Sequence, residues 1–324
     1  MESTRRDALI GGAAVATMAA AAGGARAQAR SFPKVIFSMA SVTPCDRNGK
    51  FDPIMYRDTL QYFESQGAEG VVVLGTTGEF PSFSRAERRI IMEAAGKNKG
   101  KLEILNNPGT PNLPETLELA KHAVDNGADG FLIIPPFYYN NPPTAGLLKY
   151  YSAIFDEVKK PIHLYHIPGT SEAPITHELL SALKANYPNL AGIKDSTGNA
   201  EGYAAFCKAF PDLNMRTGTS SNLETALANG MGGILADGNL FTRKCADVYA
   251  AYRAGQDWKV PLKKLRDAQA VMRAGGTGGY GPMKYALSQI MGVPQFYQRL
   301  PQADVTEEQK TAIRNGLAQV KAMG

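Results

Sequence analysis

Short apolar segments alternate with amphipathic segments from Val35 onward, and this alternation restricts the fold more than any other feature of the chain. The spacing is typical of repeated βα units. Eight segments predict strands, and a predicted helix follows each one, which predicts an α/β fold of the closed (β/α)8 TIM-barrel type. The predicted strands are Val35–Ala40, Val71–Leu74, Leu102–Leu105, Gly130–Ile134, Ile162–Tyr165, Leu190–Ile193, Leu213–Arg216 and Gly233–Leu235.

Several predicted helices carry clear start signals. Pro53 suits a first helical turn, and Ser84 with Glu87 three residues later forms a capping box. Three further helices are predicted beyond the eighth unit, at Asp257–Arg273, Gly281–Met291 and Thr306–Met323. We therefore assign residues 30–256 to the barrel and 257–324 to a C-terminal helical extension. An open doubly wound sheet is the alternative, but no Gly-x-Gly-x-x-Gly follows the first strand.

The first 29 residues resemble a twin-arginine signal peptide and are left out of the fold. Arg5 and Arg6 precede an Ala/Gly-rich run, and small-residue cleavage motifs end near Ala29. Ala8 stands where a bulkier apolar residue is usual. A membrane span needs about 20 strongly apolar residues, which this run lacks. We expect export to the periplasm with cleavage and no stable membrane insertion; an uncleaved anchor or a disordered tail is the alternative.

Composition excludes several classes of function. The formal net charge is +5, but the basic residues are dispersed and form no nucleic-acid motif. Three widely spaced cysteines give neither a disulfide framework nor a metal-binding pair. Four histidines without a His-Glu-x-x-His motif give little support for a metal site. We expect no metal and no organic cofactor, and a small anionic molecule suits the charge.

Lys194 follows the apolar run Ala191–Ile193, so it is predicted to lie at the end of a buried strand. Desolvation at the edge of a core favours the neutral, nucleophilic amine and lowers its pKa. A neutral amine is what Schiff-base chemistry on a ketone requires. The alternative is an ordinary lysine whose ammonium group reaches water from the strand end.

The other informative residues also follow predicted strands, and in a TIM barrel the C-terminal strand ends meet on one face. They are GTTGE after strand two, PPFYYN after strand four and YHIPGT from the end of strand five. Each has a purely structural alternative: a Gly-rich turn, aromatic packing at an interface, or a half-buried tyrosine in the core. Their joint occurrence on one face, together with Lys194, favours a catalytic site.

These motifs, with GIKDSTGN and the later TGTS and GGILADGN, resemble the class I aldolase-like family of dihydrodipicolinate synthase and N-acetylneuraminate lyase. The similarity in motif order and spacing extends from about Phe37 to Pro294. It implies a TIM barrel and a lyase that acts on pyruvate or another 2-oxo acid. It also implies a homodimer or homotetramer.

The resemblance assigns roles to individual residues. Lys194 matches the lysine that forms an imine with the keto carbon, and Tyr165 matches the tyrosine that transfers protons beside it. Thr76 and Thr77 match the hydroxyl pair that holds the substrate carboxylate, and Tyr139 matches a tyrosine that reaches the neighbouring subunit's site. Two positions match the pocket lining at strands seven and eight, Gly218 and Ile234.

The chemistry of these side chains agrees with those roles. A protonated imine withdraws electrons from the adjacent carbon, so that a C–C bond can break to leave an enamine, or an enamine can attack. Phenol and hydroxyl groups can move the protons that these steps require, which is commonly worth roughly 10²–10⁴-fold in rate.

The sequence departs from the synthase pattern after Pro168. The synthases carry an arginine two residues after this proline, which binds the carboxylate of the aldehyde substrate, and here that residue is Thr170. The usual strand-three Gly-Thr-Gly is replaced by Asn106-Asn107-Pro108-Gly109. Both changes disfavour dihydrodipicolinate synthesis, as does the expected export.

We therefore predict a Schiff-base lyase for a 2-oxo acid such as a 3-deoxy sugar acid or a sialic-acid-like compound, acting by aldol cleavage or dehydration. His166 and Thr170 suit substrate hydroxyls, and we assign Thr170 to substrate binding. Two alternatives stay open: a 4-hydroxy-tetrahydrodipicolinate synthase that condenses pyruvate with aspartate semialdehyde, and a non-catalytic 2-oxo-acid binding protein.

Overall fold

The structure, a computed structural model, describes residues 35–323, and the predicted signal segment at 1–29 lies outside them. Eight parallel strands pair in chain order, and β1 also pairs with β8, which closes the barrel. The predicted TIM barrel is confirmed. The strands are β1 (Phe37–Ala40), β2 (Gly70–Val73), β3 (Glu103–Asn106), β4 (Gly130–Ile133), β5 (Ile162–His166), β6 (Leu190–Asp195), β7 (Asn214–Thr217) and β8 (Gly233–Leu235).

Side-chain caps fix several helix starts. Asp52 accepts hydrogen bonds from the backbone N–H groups of Ile54 and Met55, and the predicted capping box of Ser84 and Glu87 is present. The helices around the barrel are α1 (Pro53–Ser65), α2 (Arg85–Lys97), α3 (Leu113–Asp125), α4 (Thr144–Glu157), α5 (Pro168–Ser171), α6 (His177–Asn186), α7 (Ala200–Ala209), α8 (Leu223–Ala228) and α9 (Gly238–Arg253).

Strand β6 is two residues longer than predicted, so the expected strand end at Ile193 is wrong. Lys194 lies inside the strand, opposite Tyr165 of β5 and Arg216 of β7. Both neighbouring strands extend far enough to keep the ladder paired to Asp195. Pairing on both sides therefore fixes the backbone of Lys194 more firmly than a loop position would.

Helix α9 begins soon after β8, at Gly238. The Asn239 side chain donates hydrogen bonds to the carbonyls of Ala40 and Ala236 and accepts one from the N–H of Val42. These contacts with the end of β1 stabilise a helical start that the Asp-Gly-Asn sequence does not favour. The short helix α5 follows β5 within the YHIPGT segment, for which the sequence predicts no helix.

The C-terminal extension comprises α10 (Lys259–Ala274), α11 (Tyr280–Met291) and α12 (Glu307–Ala322). Helices α10 and α11 pack on α9, and α12 packs on both of them. The segment after α11 returns to the catalytic face, where the N–H of Arg299 donates to a Glu79 carboxylate oxygen. The extension therefore contributes to the site, although the boundary after residue 256 stays a prediction.

Within residues 35–323 no helix is both long and apolar enough to cross a membrane. Cys45, Cys207 and Cys245 are all buried and free.

Candidate active site

The side chains of Lys194 and Tyr165 face each other inside the barrel. The two residues are partners in neighbouring strands, so their side chains lie on the same side of the sheet. The Lys194 Nζ lies 3.3 Å from the Tyr165 Oη and 4.4 Å from the centre of its ring. Lys194 and Tyr165 are each only 3% exposed. This buried pair brings an amine and a proton-transfer group within hydrogen-bond distance.

Thr76 extends this pair into a chain of three groups. Its Oγ1 lies 3.5 Å from the Tyr165 Oη. Burial alone raises the pKa of the Tyr165 phenol, but the positive charge of Lys194 and hydrogen bonds from Thr76 and Ser196 outweigh burial and lower that pKa. A phenol with a lowered pKa exchanges protons more readily near neutral pH. We call Lys194, Tyr165 and Thr76 the reacting group.

The loop that carries Thr76 and Thr77 is fixed at both ends. Leu74 and Glu79 adopt left-handed backbone conformations, with φ values of 58° and 54°. The Glu79 carboxylate forms a buried ion pair with Lys284 of α11. Thr77 is itself buried. Non-glycine residues hold such conformations only where surrounding contacts compensate their cost, and the Glu79–Lys284 pair is one such contact.

Gly218, directly after β7, lies against the reacting group. A Cβ atom added there would lie 1.9 Å from the Ser196 Oγ and 2.9 Å from the Lys194 Cε. Any side chain at this position would therefore displace Lys194 or Ser196. Glycine leaves the space beside the amine open.

Two cavities lie on this face of the barrel. The first, of about 210 Å³, is lined by Thr76, Thr170, Phe137, Tyr280 and neighbouring residues. The second, of about 670 Å³, is lined by Gly218–Ser221, Ala236, Asp237, Met283 and three polar residues of α10. Because Thr76 lines the first and Gly218 lines the second, the reacting group lies between them.

A sequence profile described as the dihydrodipicolinate synthetase family matches residues 33–320. The chain belongs to this family. An uncharacterized DapA-like lyase of Chloroflexus aurantiacus is 31% identical over 81% of this chain and 89% of its own length. A 4-hydroxy-tetrahydrodipicolinate synthase of Brucella suis is 34% identical over 78% of this chain and 86% of its own length. The family assignment makes the chain an enzyme of the lyase class.

Solved structures of the family superpose over most of the chain. A dihydrodipicolinate synthase from Acinetobacter baumannii in complex with pyruvate has a TM-score of 0.80 and 27% identity, covering 90% of this chain and 99% of its own. YagE from E. coli K12, also in complex with pyruvate, has a TM-score of 0.82 and 25% identity, covering 89% and 98%. These similarities extend the family relationship from sequence to the whole barrel.

Among residues 35–323, no side chain of the other predicted site residues forms a hydrogen bond with the reacting group. Tyr139 is 60% exposed in the loop after β4 and packs edge-to-face on Tyr138, which is 82% exposed. Ile234 is fully buried in β8. The Nδ1 of His166 accepts a hydrogen bond from the N–H of Ile175, and its ring packs against Phe206, so this nitrogen is already occupied. Thr170, as noted, lines the smaller cavity.

Sequence reasoning missed the contributions of the extension. Tyr280 lines the smaller cavity with Thr76, and burial followed by the proximity of Tyr165 raises its pKa. Lys284 pairs with Glu79 one turn later on the same helix. The Gly-rich run before Tyr280 was the available signal of a tight turn into a helix, but nothing in the sequence placed that helix beside strand two.

Among residues 35–323 no cluster of three or more His, Cys, Asp or Glu side chains is arranged to hold a metal ion.

Proposed function

We propose that Lys194 forms an imine with the keto carbon of a 2-oxo acid and that the protein is a pyruvate-type Schiff-base lyase. The observation that supports this proposal is the buried Lys194 amine, 3.3 Å from the Tyr165 phenol, which itself lies 3.5 Å from Thr76. An amine, a phenol and a hydroxyl in that order can form an imine and move the protons it requires.

The reaction begins when Lys194 loses its proton and the resulting neutral amine attacks the keto carbon. Tyr165 delivers a proton to the carbinolamine oxygen, which leaves as water and gives the protonated imine. The protonated imine then accepts the electron pair of the C3–C4 bond as that bond breaks: the C4 hydroxyl returns a proton to Tyr165, C4 leaves as an aldehyde, and C3 remains in an enamine. Tyr165 protonates C3, and water hydrolyses the imine to release pyruvate and the free Lys194 amine. The loop of Thr76 and Thr77 holds the carboxylate so that the keto carbon faces the amine.

A 3-deoxy sugar acid or a sialic-acid-like compound is our leading substrate class, cleaved or dehydrated next to the imine. Thr170 lies on the smaller cavity where the synthases of the family carry an arginine two residues after the proline. A hydroxyl group there suits substrate hydroxyls, and it does not replace a bidentate guanidinium.

The second candidate is 4-hydroxy-tetrahydrodipicolinate synthesis from pyruvate and aspartate semialdehyde. The 34% identity to the Brucella suis synthase favours it. This candidate requires another cationic residue to bind the aldehyde's carboxylate. Rapid condensation of aspartate semialdehyde with pyruvate by the purified protein would establish it, whereas the leading proposal predicts feeble turnover.

We also propose a homodimer or homotetramer in which Tyr139 reaches the neighbouring subunit. The exposure of the Tyr138–Tyr139 pair supports this proposal, because adjoining large aromatic side chains are typical of interfaces. Analytical ultracentrifugation of Tyr139→Ala beside the unmodified protein tests it. A single monomeric species for the unmodified protein would rule it out.

Export through a twin-arginine route is a further proposal, which rests on Arg5, Arg6 and the run that follows. Cell fractionation of the full chain, compared with an Arg5→Lys/Arg6→Lys variant, tests it. We expect the full chain in the periplasm and the variant in the cytoplasm. Equal distribution of both proteins would contradict export.

The central experiment is borohydride reduction in the presence of pyruvate, followed by mass spectrometry of the digested protein. We expect one pyruvate adduct, located on Lys194, and none in Lys194→Ala. Lys184→Ala is the matched control, because Lys184 lies on α6 and pairs with Asp212 at the surface. An adduct on another residue, or none, would remove the proposed mechanism.

A further inference from the structure

The larger cavity, which we call the tail cavity, opens beside the reacting group. Gly218 lines it, and a Cβ atom on Gly218 would lie 2.9 Å from the Lys194 Cε. The volume of about 670 Å³ exceeds what pyruvate alone requires. A longer 2-oxo acid whose keto carbon faces Lys194 has room here for the atoms beyond the reacting carbons.

Polar side chains that hydrogen-bond to one another line the inner part of the tail cavity. One oxygen of Asp237 accepts hydrogen bonds from the Ser220 Oγ and the Gln269 Nε2, each at 2.6 Å. Thr219 and Ser221 add hydroxyl groups on either side of Ser220. Such a set of hydroxyl, amide and carboxylate groups matches a hydroxylated carbon chain, since each can donate to or accept from a substrate hydroxyl.

The outer part of the tail cavity carries two arginines of α10 that differ in their partners. Arg266 forms an ion pair with Glu224 at 3.1 Å. Arg273 also lines the cavity, and within the part of the chain that the structure describes its guanidinium makes no hydrogen bond and no ion pair. One oxygen of Asp237 is taken up by Ser220 and Gln269. The charge of Arg273 favours the ionised form of this carboxylate, although no hydrogen bond or ion pair joins the two side chains among the described residues. Arg273 therefore offers unused donors to a bound molecule.

We propose that Arg273 binds an anionic group at the far end of the substrate, so that the preferred substrate is a hydroxylated 2-oxo acid with a second, distal anion. This inference rests on the proposed function, because it takes the keto carbon to lie at Lys194. A guanidinium binds a carboxylate or a phosphate ester through paired N–H donors, and both anions fit this chemistry.

Arg273 then supplies from the extension what the segment after β5 lacks. Neither Gly169 nor Thr170 is cationic, and none of the described residues that line the smaller cavity is a lysine or an arginine. Arg273 lines the same cavity as Gly218, whereas Thr170 lines the smaller one. Recognition of the distal anion therefore depends on a helix outside the eight βα units.

Three six-carbon 3-deoxy-2-oxo acids test the proposal, because they share the reacting end and differ at C6. One carries a hydroxymethyl group, one a carboxylate and one a phosphate ester. The readout is the concentration of each acid that gives half-maximal inactivation by borohydride, with the adduct on Lys194 identified by its mass. This readout reports imine formation whether or not the acid is turned over.

We expect the unmodified protein to be half-saturated by at least one of the anionic acids at a concentration about tenfold or more below that of the hydroxymethyl acid. The better of the two anions identifies the distal group. Arg273→Gln should abolish the preference for an anionic acid and leave the half-saturating concentration of pyruvate unchanged. Arg273→Lys should retain part of the preference. Lys264→Gln is the matched control, because it removes a positive charge from the same helix without affecting a residue that lines the cavity.

Equal half-saturation by all three acids would overturn the inference while leaving the imine chemistry intact. An equal effect of Lys264→Gln would also overturn it, since general charge attraction would then explain the preference. Absence of any adduct on Lys194, with pyruvate included, would instead overturn the proposed function and this inference with it.

Discussion

The reacting group and the tail cavity lie side by side on one face of the barrel, but different parts of the chain form them. Tyr165 and Lys194 project from paired strands and are almost completely buried. The tail cavity is formed by segments after β7 and β8 and by α10, and two of its arginines are exposed. Strand positions are held by pairing on both sides, whereas loops and outer helices tolerate change.

This difference indicates that the strands position the reacting side chains, whereas the outer segments bind the rest of the substrate. The amine and phenol require a separation near 3 Å, which adjoining strands provide through their register. We propose that substrate length and charge are recognised farther out, by an arginine of α10 in place of the arginine that the synthases carry after β5. A family resemblance therefore predicts the imine chemistry better than it predicts the substrate.

The largest effect should come from Tyr165→Phe, which breaks the reacting group without changing its size. We expect the turnover number to fall by roughly 10²–10⁴-fold, because the proton transfers lose their nearest group. Steady-state kinetics of 2-oxo acid cleavage measures it. The acid concentration that gives half-maximal inactivation by borohydride should still depend on the group at C6, because the tail cavity is unchanged.

Tyr151→Phe is the control for Tyr165→Phe. The Tyr151 phenol is also buried, on α4, and has no hydrogen-bond partner within the described residues. It should keep full activity. Equal losses in both variants would mean that a buried phenol matters for folding and not for proton transfer.

Lys284→Met tests whether the extension supports the reacting group as well as the tail cavity. Lys284 and Glu79 are fully and almost fully buried, so removing one partner leaves a buried charge uncompensated. We expect the free energy of unfolding to fall by about 3–5 kcal/mol, measured by urea denaturation.

Two further variants define that result. Lys263→Met removes an exposed ion pair with Asp267 and should cost less than about 1 kcal/mol. Adding Glu79→Gln to Lys284→Met should recover part of the lost stability, since no buried charge then remains unpaired. If Lys284→Met costs no more than Lys263→Met, Glu79 is not held by this pair.

Gly218→Ala probes the border between the reacting group and the tail cavity. The new methyl group would meet the Ser196 Oγ and the Lys194 Cε, which must then move. A displacement of about 1 Å can cost roughly 10²-fold in rate, and we expect a loss of that size in kcat/KM. Gly169→Ala is the control, because nothing lies within 4 Å of a Cβ atom there. Full activity in Gly218→Ala would show that this contact does not position the amine.

The sequence predicts the barrel well because each strand and helix carries a local signal. Alternating apolar segments and caps such as Ser84–Glu87 depend on nearby residues, and the structure has all eight strands within two residues of their predicted ends. The end of β6 is different, because polar Asp195 and Ser196 look like a loop and only the lengths of β5 and β7 show that pairing continues.

The site residues near Lys194 are predictable because they lie at or near strand ends. The site residues of the C-terminal extension are not predictable from the sequence. Lys194 and Tyr165 lie one residue before the ends of their strands and Thr76 follows β2, and the barrel brings such positions to one face. Arg273 and Lys284 lie on outer helices whose docking depends on long-range packing against α9. Their sequence context is that of ordinary amphipathic helices, so no local pattern distinguishes them from surface cations.

The smallest effect concerns the barrel interior below the reacting group. Burial and the nearby Arg216 charge hold the pKa of His163 well below its ordinary value of 6.5. As the pH falls below 6.5 the unfolded chain binds a proton that the folded chain does not, so stability is lost with acid. The loss should approach ~1.4 kcal/mol per pH unit, and the lowered pKa of buried His166 adds in the same direction.

Urea denaturation between pH 7.5 and 5.5 measures this loss. His163→Leu should flatten the dependence, because it removes the imidazole whose pKa is lowered in the folded protein. Because His163 lines neither of the two cavities, the variant should keep the preference among distal groups. If the stability of His163→Leu depends on pH as steeply as that of the unmodified protein, other groups cause the acid sensitivity. If the variant changes the preference among the three acids, the barrel interior and the tail cavity are coupled.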